Sequence, residues 1–291
     1  MASINKRNDF FQIIIKIIFI LLAVMFLFPF VYVFSASFSS PVAVAANPIL
    51  IFPKEFTLAI YKIIFKYSSI WTGYVNSIFY TLVGTLINIT FTITAAYALT
   101  RPELIGRRAI IFFIVLTMFI NAGMIPNYLL VRDLGILNTR WALLLPVAVS
   151  QWNLFITRSY LEINIPNDLH DAAEVDGAGE FRYFFSVVLP LSTSIIAVIG
   201  LFYGSGHWNS FFNALIYLKD RNLYPLQLVL REILIQNRVQ VETSSDLGDT
   251  SLAKLGVKYG VIVLSVAPLL IIFPFVQKYF VRGVMIGSLK G

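Results

Sequence analysis

Two histidines, no cysteine and 15 carboxylate side chains are the groups that could serve as nucleophile, general acid or base, or metal ligand in this chain. His170 sits among Asp168, Asp171 and Glu174, and His207 follows Ser205 by two residues. A zinc hydrolase would need a His-Glu-x-x-His pair on one helix face, and the sequence has none. Ser205 and His207 do not by themselves make a triad with an acid, so His207 reads as an interfacial hydrogen-bonding residue. Without cysteine there is no thiolate nucleophile, no disulfide framework and no Cys-ligated zinc or iron–sulfur site, and either redox compartment is compatible. None of the 16 glycines opens a Gly-x-x-x-x-Gly-Lys-Ser/Thr phosphate loop. The chain is therefore expected to carry no catalytic residue and no metal site. One dense cluster of ionisable groups remains: Asp168, Asp171, Glu174, Asp176 and Glu180, set against Arg182. Its use has to be sought in binding.

The elements that must position this cluster are apolar. Of 291 residues, 58% are hydrophobic and 13% charged, with mean hydropathy +0.80. A soluble domain carries about 25% charged residues. So few charges cannot coat a globule, and the chain is expected to be an all-α integral membrane protein surrounded by the lipid bilayer. The net charge of +7 could suggest nucleic acid in a soluble protein, but the basic residues are scattered between apolar runs, where they flank membrane. No nucleic-acid partner is expected. Runs long enough to cross predict six spans, at 13–34, 74–98, 109–130, 140–161, 186–206 and 259–280. The first ends near Pro29 and Tyr32. Its length, and the lack of a small-residue cleavage pattern, read as a retained span rather than a cleaved signal. Residues 35–72 read as loop or short extended segments, punctuated by Pro41, Pro48 and Pro53. Six spans put both termini on one side. The basic residues divide evenly between the two sides, but six of the outer ones fall in one long loop, 207–258, which counts for less. That favours cytoplasmic termini.

The acidic cluster then lies in the cytoplasmic segment 162–185. Pro166, Asn167 and Asp168 read as a helix start, with acids in the first turn where the helix dipole favours them. Leu169, Ala172 and Ala173 recur at helical spacing as a small apolar face, and Asp168, Asp171 and Glu174 line another. Gly177 and Gly179 end the helix, and a second run leads through Leu189 and Pro190 into the fifth span. A helix lying on the membrane usually shows Lys and Arg opposite bulky apolar residues. This one is acidic and Ala-faced, so it is expected to dock into a protein partner.

Residues 171–190, DAAEVDGAGEFRYFFSVVLP, resemble the EAA loop of ABC importer permeases: an acid, Ala-Ala, three residues, Gly, nine residues, an aliphatic residue, one residue, then Leu-Pro. Asp171, Ala172, Ala173, Gly177, Val187, Leu189 and Pro190 fall in register, and Asp176 and Ala178 flank the glycine. Asp171 stands where the family usually has Glu, which keeps the charge and shortens the reach. The resemblance extends through AYALTRPELIGRR (96–108), NAGMIPNYLLVRDLGILNTRWALLLP (121–146), GHWNSFFNALIYL (206–218), YPLQLVLREIL (224–234) and QKYFVRGVMIGSLKG (277–291). These segments resemble the maltose-type carbohydrate-uptake permeases, most closely their MalG-like second subunit in its LplC/YtcP-type branch.

That resemblance implies half of a heterodimeric path for oligosaccharides in the bacterial cell membrane (plasma or inner). The other half is a second homologous permease subunit, with two copies of a cytoplasmic ABC ATPase and an extracytoplasmic solute-binding protein. It also implies cytoplasmic termini. ATP and Mg would be used by the ATPase, not bound by this chain. The helix around 166–180 would be the coupling helix in a cleft of the ATPase, with Asp171 paired to a basic residue there and Gly177 leaving room for the turn. Closure of the ATPase would rock the spans between inward- and outward-facing states. The 207–258 loop, containing a helical run from Leu226 to Ile235, would bear a scoop toward the binding protein, its tip within 237–252.

The substrate path is expected among the polar residues of the spans. Span two carries Asn76, Thr81, Thr85 and Asn88. The candidates for the path itself are Asn121, Asn127 and Tyr128 in span three and Gln151, Trp152 and Asn153 in span four. Asn and Gln are costly in lipid, so they face the bundle interior. They serve either in helix–helix hydrogen bonding or in lining a hydrated, sugar-sized cavity, with Trp152 or Tyr128 stacking on a sugar face. The rival readings are an ABC permease for a non-sugar solute and an ion-coupled secondary transporter. The second would need ionisable residues at membrane depth, and spans two, three, five and six contain essentially none.

Overall fold

The computed structural model describes residues 2–47, 49–120, 122–236 and 250–288, and among them there is no strand. The helices run in the order α1 (Ala2–Ser37), α2 (Pro41–Ala46), α3 (Ala59–Lys66), α4 (Ser68–Thr100), α5 (Arg107–Phe119), α6 (Met124–Asp133), α7 (Trp141–Leu144) and α8 (Gln151–Asn164). They continue as α9 (Asn167–Val175), α10 (Glu180–Tyr183), α11 (Leu189–Leu191), α12 (Thr193–Trp208), α13 (Phe212–Tyr217), α14 (Leu226–Gln236) and α15 (Thr250–Ser288). Two compact units emerge: Met1–Ile70 with Leu230–Ala267, and Trp71–Val229 with Pro268–Gly291.

In the first unit α1 is an apolar helix that the rest of the chain leaves uncovered along most of its length. Its stretch Phe11–Ser37 has mean hydropathy 2.9, and none of its most apolar window is covered by the chain. It passes through Pro29 and ends at Ser37, beyond the expected end at Tyr32. The residues expected as loop, 35–72, hold two short helices. Ser40 caps α2 by accepting from the Ala43 amide, with Pro41 in the first turn where its missing N–H is not needed. The turn between them is held by serines: Ser35 donates to the Ile51 carbonyl at 2.7 Å, and Tyr61 donates to Ser37 at 3.0 Å. α3 turns Ile60, Tyr61 and Ile64 inward, and its partner is a glycine pair one turn apart on α15. A Cβ on Gly256 would stand 2.5 Å from Ile60 Cδ1, and one on Gly260 2.7 Å from Ile64 Cδ1. The Gly-x-x-x-Gly spacing thus lets the two helices close to backbone distance.

In the second unit α4 is the central element. Of the expected spans, 74–98 lies inside α4, and 13–34 and 259–280 lie inside α1 and α15. The others are broken. α5 and α6 meet at 120° across 120–123, where Gly123 takes a positive φ of 84°. The segment Glu180–Leu191 meets α12 at 76°. Pro190 cannot donate to the carbonyl a turn back, and residues Phe184–Val188 widen into a π-helical turn before the bend at Ser192. The stretch expected as span four is α7 and α8 with the non-helical residues 145–150 between them, opened by Pro146 and closed by Ser150 as N-cap of α8. Among the described residues, three helices are therefore long and apolar enough to cross a membrane singly, or up to five elements if each bent pair is one crossing. The described residues of the 207–258 region expected as a loop are largely helical: α13 and α14 occupy it, and α15 begins at Thr250. The run Leu226–Ile235 falls in α14 as expected. The expected tip, 237–252, lies mostly outside the described residues.

Ile60 and Ile64 are fully buried, so neither can swing away from a larger neighbour. Gly260→Leu is expected to overpack this contact by about 1–3 kcal/mol and lower the thermal midpoint of the detergent-solubilised chain. An unchanged midpoint for this variant would show that α3 is not seated on the glycine face.

Candidate functional site

The acidic helix forms as its sequence pattern predicts. α9 starts after Pro166, and Asp168 lies in its first turn. Its end is a Schellman turn. The Gly177 amide donates to Glu174 O at 2.9 Å and the Ala178 amide to Ala173 O at 2.8 Å, with Gly177 at φ +72°. A Cβ on Gly177 would meet nothing within 4 Å, so the glycine is required by backbone conformation rather than by crowding within this chain. The expected Ala face divides in two. Ala173 turns inward against a core of Leu161, Tyr183 and Phe184, whereas Asp171, Ala172 and Asp176 are exposed. Around them two large apolar side chains are left uncovered, Val175 at 88% exposure and Phe181 at 83%. Leu189 packs against the same inner core, and Pro190 stands at the bend leading into α12.

Beneath α9 lies a polar cluster that sequence reasoning did not assemble. His170 Nε2 is 2.7 Å from Glu180 Oε1, and Glu180 Oε2 accepts from Tyr97 OH and faces Arg101 Nη2 at 3.7 Å. The Arg101 guanidinium lies 4.6 Å from the Tyr97 ring centre and 5.1 Å from that of Tyr183. Partial burial alone would raise the Glu180 pKa. The hydrogen bonds from Tyr97 and His170 and the charge of Arg101 outweigh it and hold the carboxyl below its ordinary value. Glu180 is thus an acceptor at both oxygens, and His170 carries its proton on Nε2. A neighbouring ion-pair group, Arg107 and Arg158 on Glu162, fastens the start of α5 to the end of α8.

The polar residues of the spans separate into three places. Asn76 donates to Asn222 O at 2.7 Å and Tyr224 O at 3.1 Å, and Tyr80 to Leu223 O at 2.8 Å, so this end of α4 holds the 220–226 turn. Tyr128 stacks on Tyr217, with ring centres 6.4 Å apart, and Asn127 is exposed. Neither lines the cavity that holds Gln151 and Asn153, and Asn121 lies outside the described residues. Thr81 and Thr85 line an apolar cavity of about 420 Å³ with Gly200 and Gly204.

The third place is the break between α7 and α8. A cavity of about 470 Å³ is lined there by Pro146, Ser150, Gln151, Asn153, Tyr203, His207, Ser210 and Asn213. Gln151 and Asn153 are two of the expected path residues. Trp152, between them, is 62% exposed and does not line the cavity. The break leaves carbonyls without helical partners, and Asn88 supplies them: its Nδ2 donates to Val147 O at 2.6 Å and Ala148 O at 2.8 Å. Both amide hydrogens are then used, which turns Oδ1 toward His207 Nε2 at 2.6 Å and makes the imidazole the donor. His207, expected at the membrane interface, is only 7% exposed. It fits because Gly84 lies opposite, where a Cβ would come within 2.4 Å of Nε2. Tyr203 completes the arrangement, accepting from the Ser150 amide at 2.9 Å and meeting Thr92 Oγ1 at 2.7 Å. The signal available in the sequence was Pro146 inside an apolar run with Asn88 on another. Nothing in the spacing pairs them.

Residues 68–286 match the family of binding-protein-dependent transport system inner membrane components. The protein LplC of Bacillus subtilis is 39% identical over 263 residues, covering 90% of this chain and 89% of that one. The polygalacturonan/rhamnogalacturonan transport system permease protein YtcP of the same organism is 36% identical over 286 residues, 98% of this chain and all of that one. Among solved structures, a chain of a bacterial ABC transporter involved in the import of the acidic polysaccharide alginate superposes with a TM-score of 0.88 at 34% identity, covering 94% of this chain and 97% of that one.

Asn88 is fully buried, and Asn88→Leu would leave two carbonyls and the His207 donor without partners, each costing about 1–3 kcal/mol. A clear fall in the thermal midpoint of the purified protein is expected, with Asn127→Leu at an exposed site as the unaffected control. Equal midpoints for the two variants would contradict the role given to Asn88.

Proposed function

Because the chain belongs to the family of binding-protein-dependent transport system inner membrane components, we propose that it is one permease subunit of an ATP-driven importer of oligosaccharides. The observation that carries the mechanism is α9: an exposed acidic helix, ended by a left-handed glycine, with Val175 and Phe181 uncovered beside it. In this reading α9 sits in a cleft of a cytoplasmic ABC ATPase, present in two copies, and Asp171 pairs with a basic residue there. Ala172, Asp176, Gly177 and Ala178 form the rest of the contact, while Ala173, Leu189 and Pro190 tie the helix to the membrane part. A second homologous permease supplies the other half of the path, and an extracytoplasmic solute-binding protein delivers the cargo. ATP and Mg are held by the ATPase. The chain crosses the membrane six times with both termini in the cytoplasm, the broken elements α5–α6, α7–α8 and α10–α12 each making one crossing.

The carbohydrate reading is supported by the transport names of the similar proteins and by the chemistry of the cavity at the α7–α8 break. Gln151, Asn153, Ser210 and Asn213 are uncharged donors and acceptors suited to hydroxyl groups. We assign Gln151 and Asn153 to the substrate path. Asn121, Asn127, Tyr128 and Trp152 are kept as further candidates for the path. Against an ion-coupled carrier, the helices Phe11–Ser37, Ser68–Thr100 and Leu255–Pro274 contain no carboxylate to bind a coupling ion.

Purification of the tagged chain from its native membrane in mild detergent is expected to bring down a second permease and an ATPase. In proteoliposomes, ATP hydrolysis by that assembly is expected to rise with a binding protein loaded with oligogalacturonide or arabino-oligosaccharide, and not with amino acids. Recovery of the chain alone or as a homodimer would reopen the ion-coupled reading.

A β-branched residue at φ +72° is strained by about 1–2 kcal/mol, and the Schellman turn would give way. Gly177→Val is therefore expected to abolish uptake while the protein stays in the membrane at its normal level. Normal uptake by this variant at normal expression would remove α9 from the coupling role.

A further inference from the structure

A nine-residue helix is too short to hold its own conformation in water, so α9 must be anchored by what lies beneath it. Its outer face is exposed, and its inner face makes two attachments: Ala173 in the core, and His170. His170 and the Tyr183 ring meet edge to face with centres 5.1 Å apart, and His170 presents its Nε2 to Glu180 at 2.7 Å. Glu180 in turn does not belong to α9 or to α4, yet it contacts both. One carboxylate oxygen meets His170 of α9, and the other meets Tyr97 and Arg101 at the C-terminal end of α4. The Arg101 guanidinium lies against both the Tyr97 and the Tyr183 ring.

We propose that Glu180 is a positioning residue for transport: through His170 on one side and Tyr97 and Arg101 on the other, it passes a displacement of α9 directly to α4. The proposal rests on the coupling role given to α9 above. Along the chain alone, α9 can pull only on α8 and on the bent segment leading to α12. α4 carries Asn88, which holds the broken segment at the cavity. A carboxylate bridge to its end adds a second, sequence-remote line from the ATPase face to that break. A purely structural Glu180 would matter for holding α9 in place. A transmitting Glu180 matters for how much transport each ATP yields.

The two are separated by reconstituting the whole assembly with Glu180→Ala and with Tyr97→Phe, which removes only the α4 hydroxyl and leaves the His170 contact and the ring packing. Two quantities are read: ATPase recovered per permease, and ATP hydrolysed per substrate imported. ATPase recovery is expected to stay at the wild-type ratio in both variants. ATP spent per substrate is expected to rise at least about fivefold in Glu180→Ala, the lower end of a usual coupling between sites, and in the same direction in Tyr97→Phe. His170→Gln, which keeps a donor, is expected to couple better than His170→Ala. An unchanged ATP-to-substrate ratio with the ATPase bound would overturn the proposal. So would loss of ATPase in step with loss of uptake, since Glu180 would then only hold α9. Failure of the wild-type chain to recover any ATPase would instead overturn the coupling reading on which the proposal stands.

Discussion

Peptide groups inside a bilayer have no water to bond, so every break in a membrane helix must be met by a partner from elsewhere in the protein. Residues 145–150 interrupt the helix between α7 and α8, and two of their carbonyls are met by Asn88. Three features depend on that side chain. The segment can be non-helical, a cavity lined by amides and hydroxyls can open beside it, and His207 has a fixed acceptor. Gly84 belongs to the same arrangement, because only a residue without a Cβ leaves room for the imidazole. A continuous helix over 140–161 would have bonded its own carbonyls and left Asn88 without this role.

The end of the protein that carries α9 follows a different logic. There the difficulty is to hold a nine-residue helix in place while leaving its outer face free. The structure divides the labour by face. Ala173 and His170 hold α9 from within, while Asp171, Ala172, Val175 and Asp176 remain outside. Charge is concentrated where it can be shared: Glu180 receives contacts from three side chains, and Glu162 from two arginines. Such pairs contribute little to stability at an exposed surface, but their geometry fixes the relative placement of the elements that bear them.

Small residues serve two ends in the packing. Gly256 and Gly260 let α3 approach α15 in one unit, and Gly73 lets the start of α14 come within reach of α4 in the other, where a Cβ would stand 3.1 Å from Leu226 Cα. Between apolar helices in lipid there is little hydrophobic drive, so close approach and dispersion contacts carry the association. Gly177 is of another kind, since nothing crowds it and its requirement is a left-handed φ.

Sequence alone determined the class of this protein, the presence of α9 and the position of its end, because each depends on local pattern. Hydropathy over about 20 residues marks a lipid-facing helix, Pro166 with Asp168 marks a helix start, and glycine after a short helix marks its stop. The order of Asp171, Ala172, Ala173, Gly177, Leu189 and Pro190 was likewise legible, since a motif is a one-dimensional object. Tertiary structure alone decided which polar residues meet. Asn88 and residues 147–148, Asn76 and 222–224, and Tyr97 and Glu180 are each brought together over long stretches of chain, and no periodicity links them. It also decided that Tyr128 stacks on Tyr217 away from the cavity and that Trp152 turns outward while Gln151 and Asn153 line it. The physical reason is that a residue's type states what bond it can make. Whether that bond is made depends on a partner whose position is set by how the helices bend and pack.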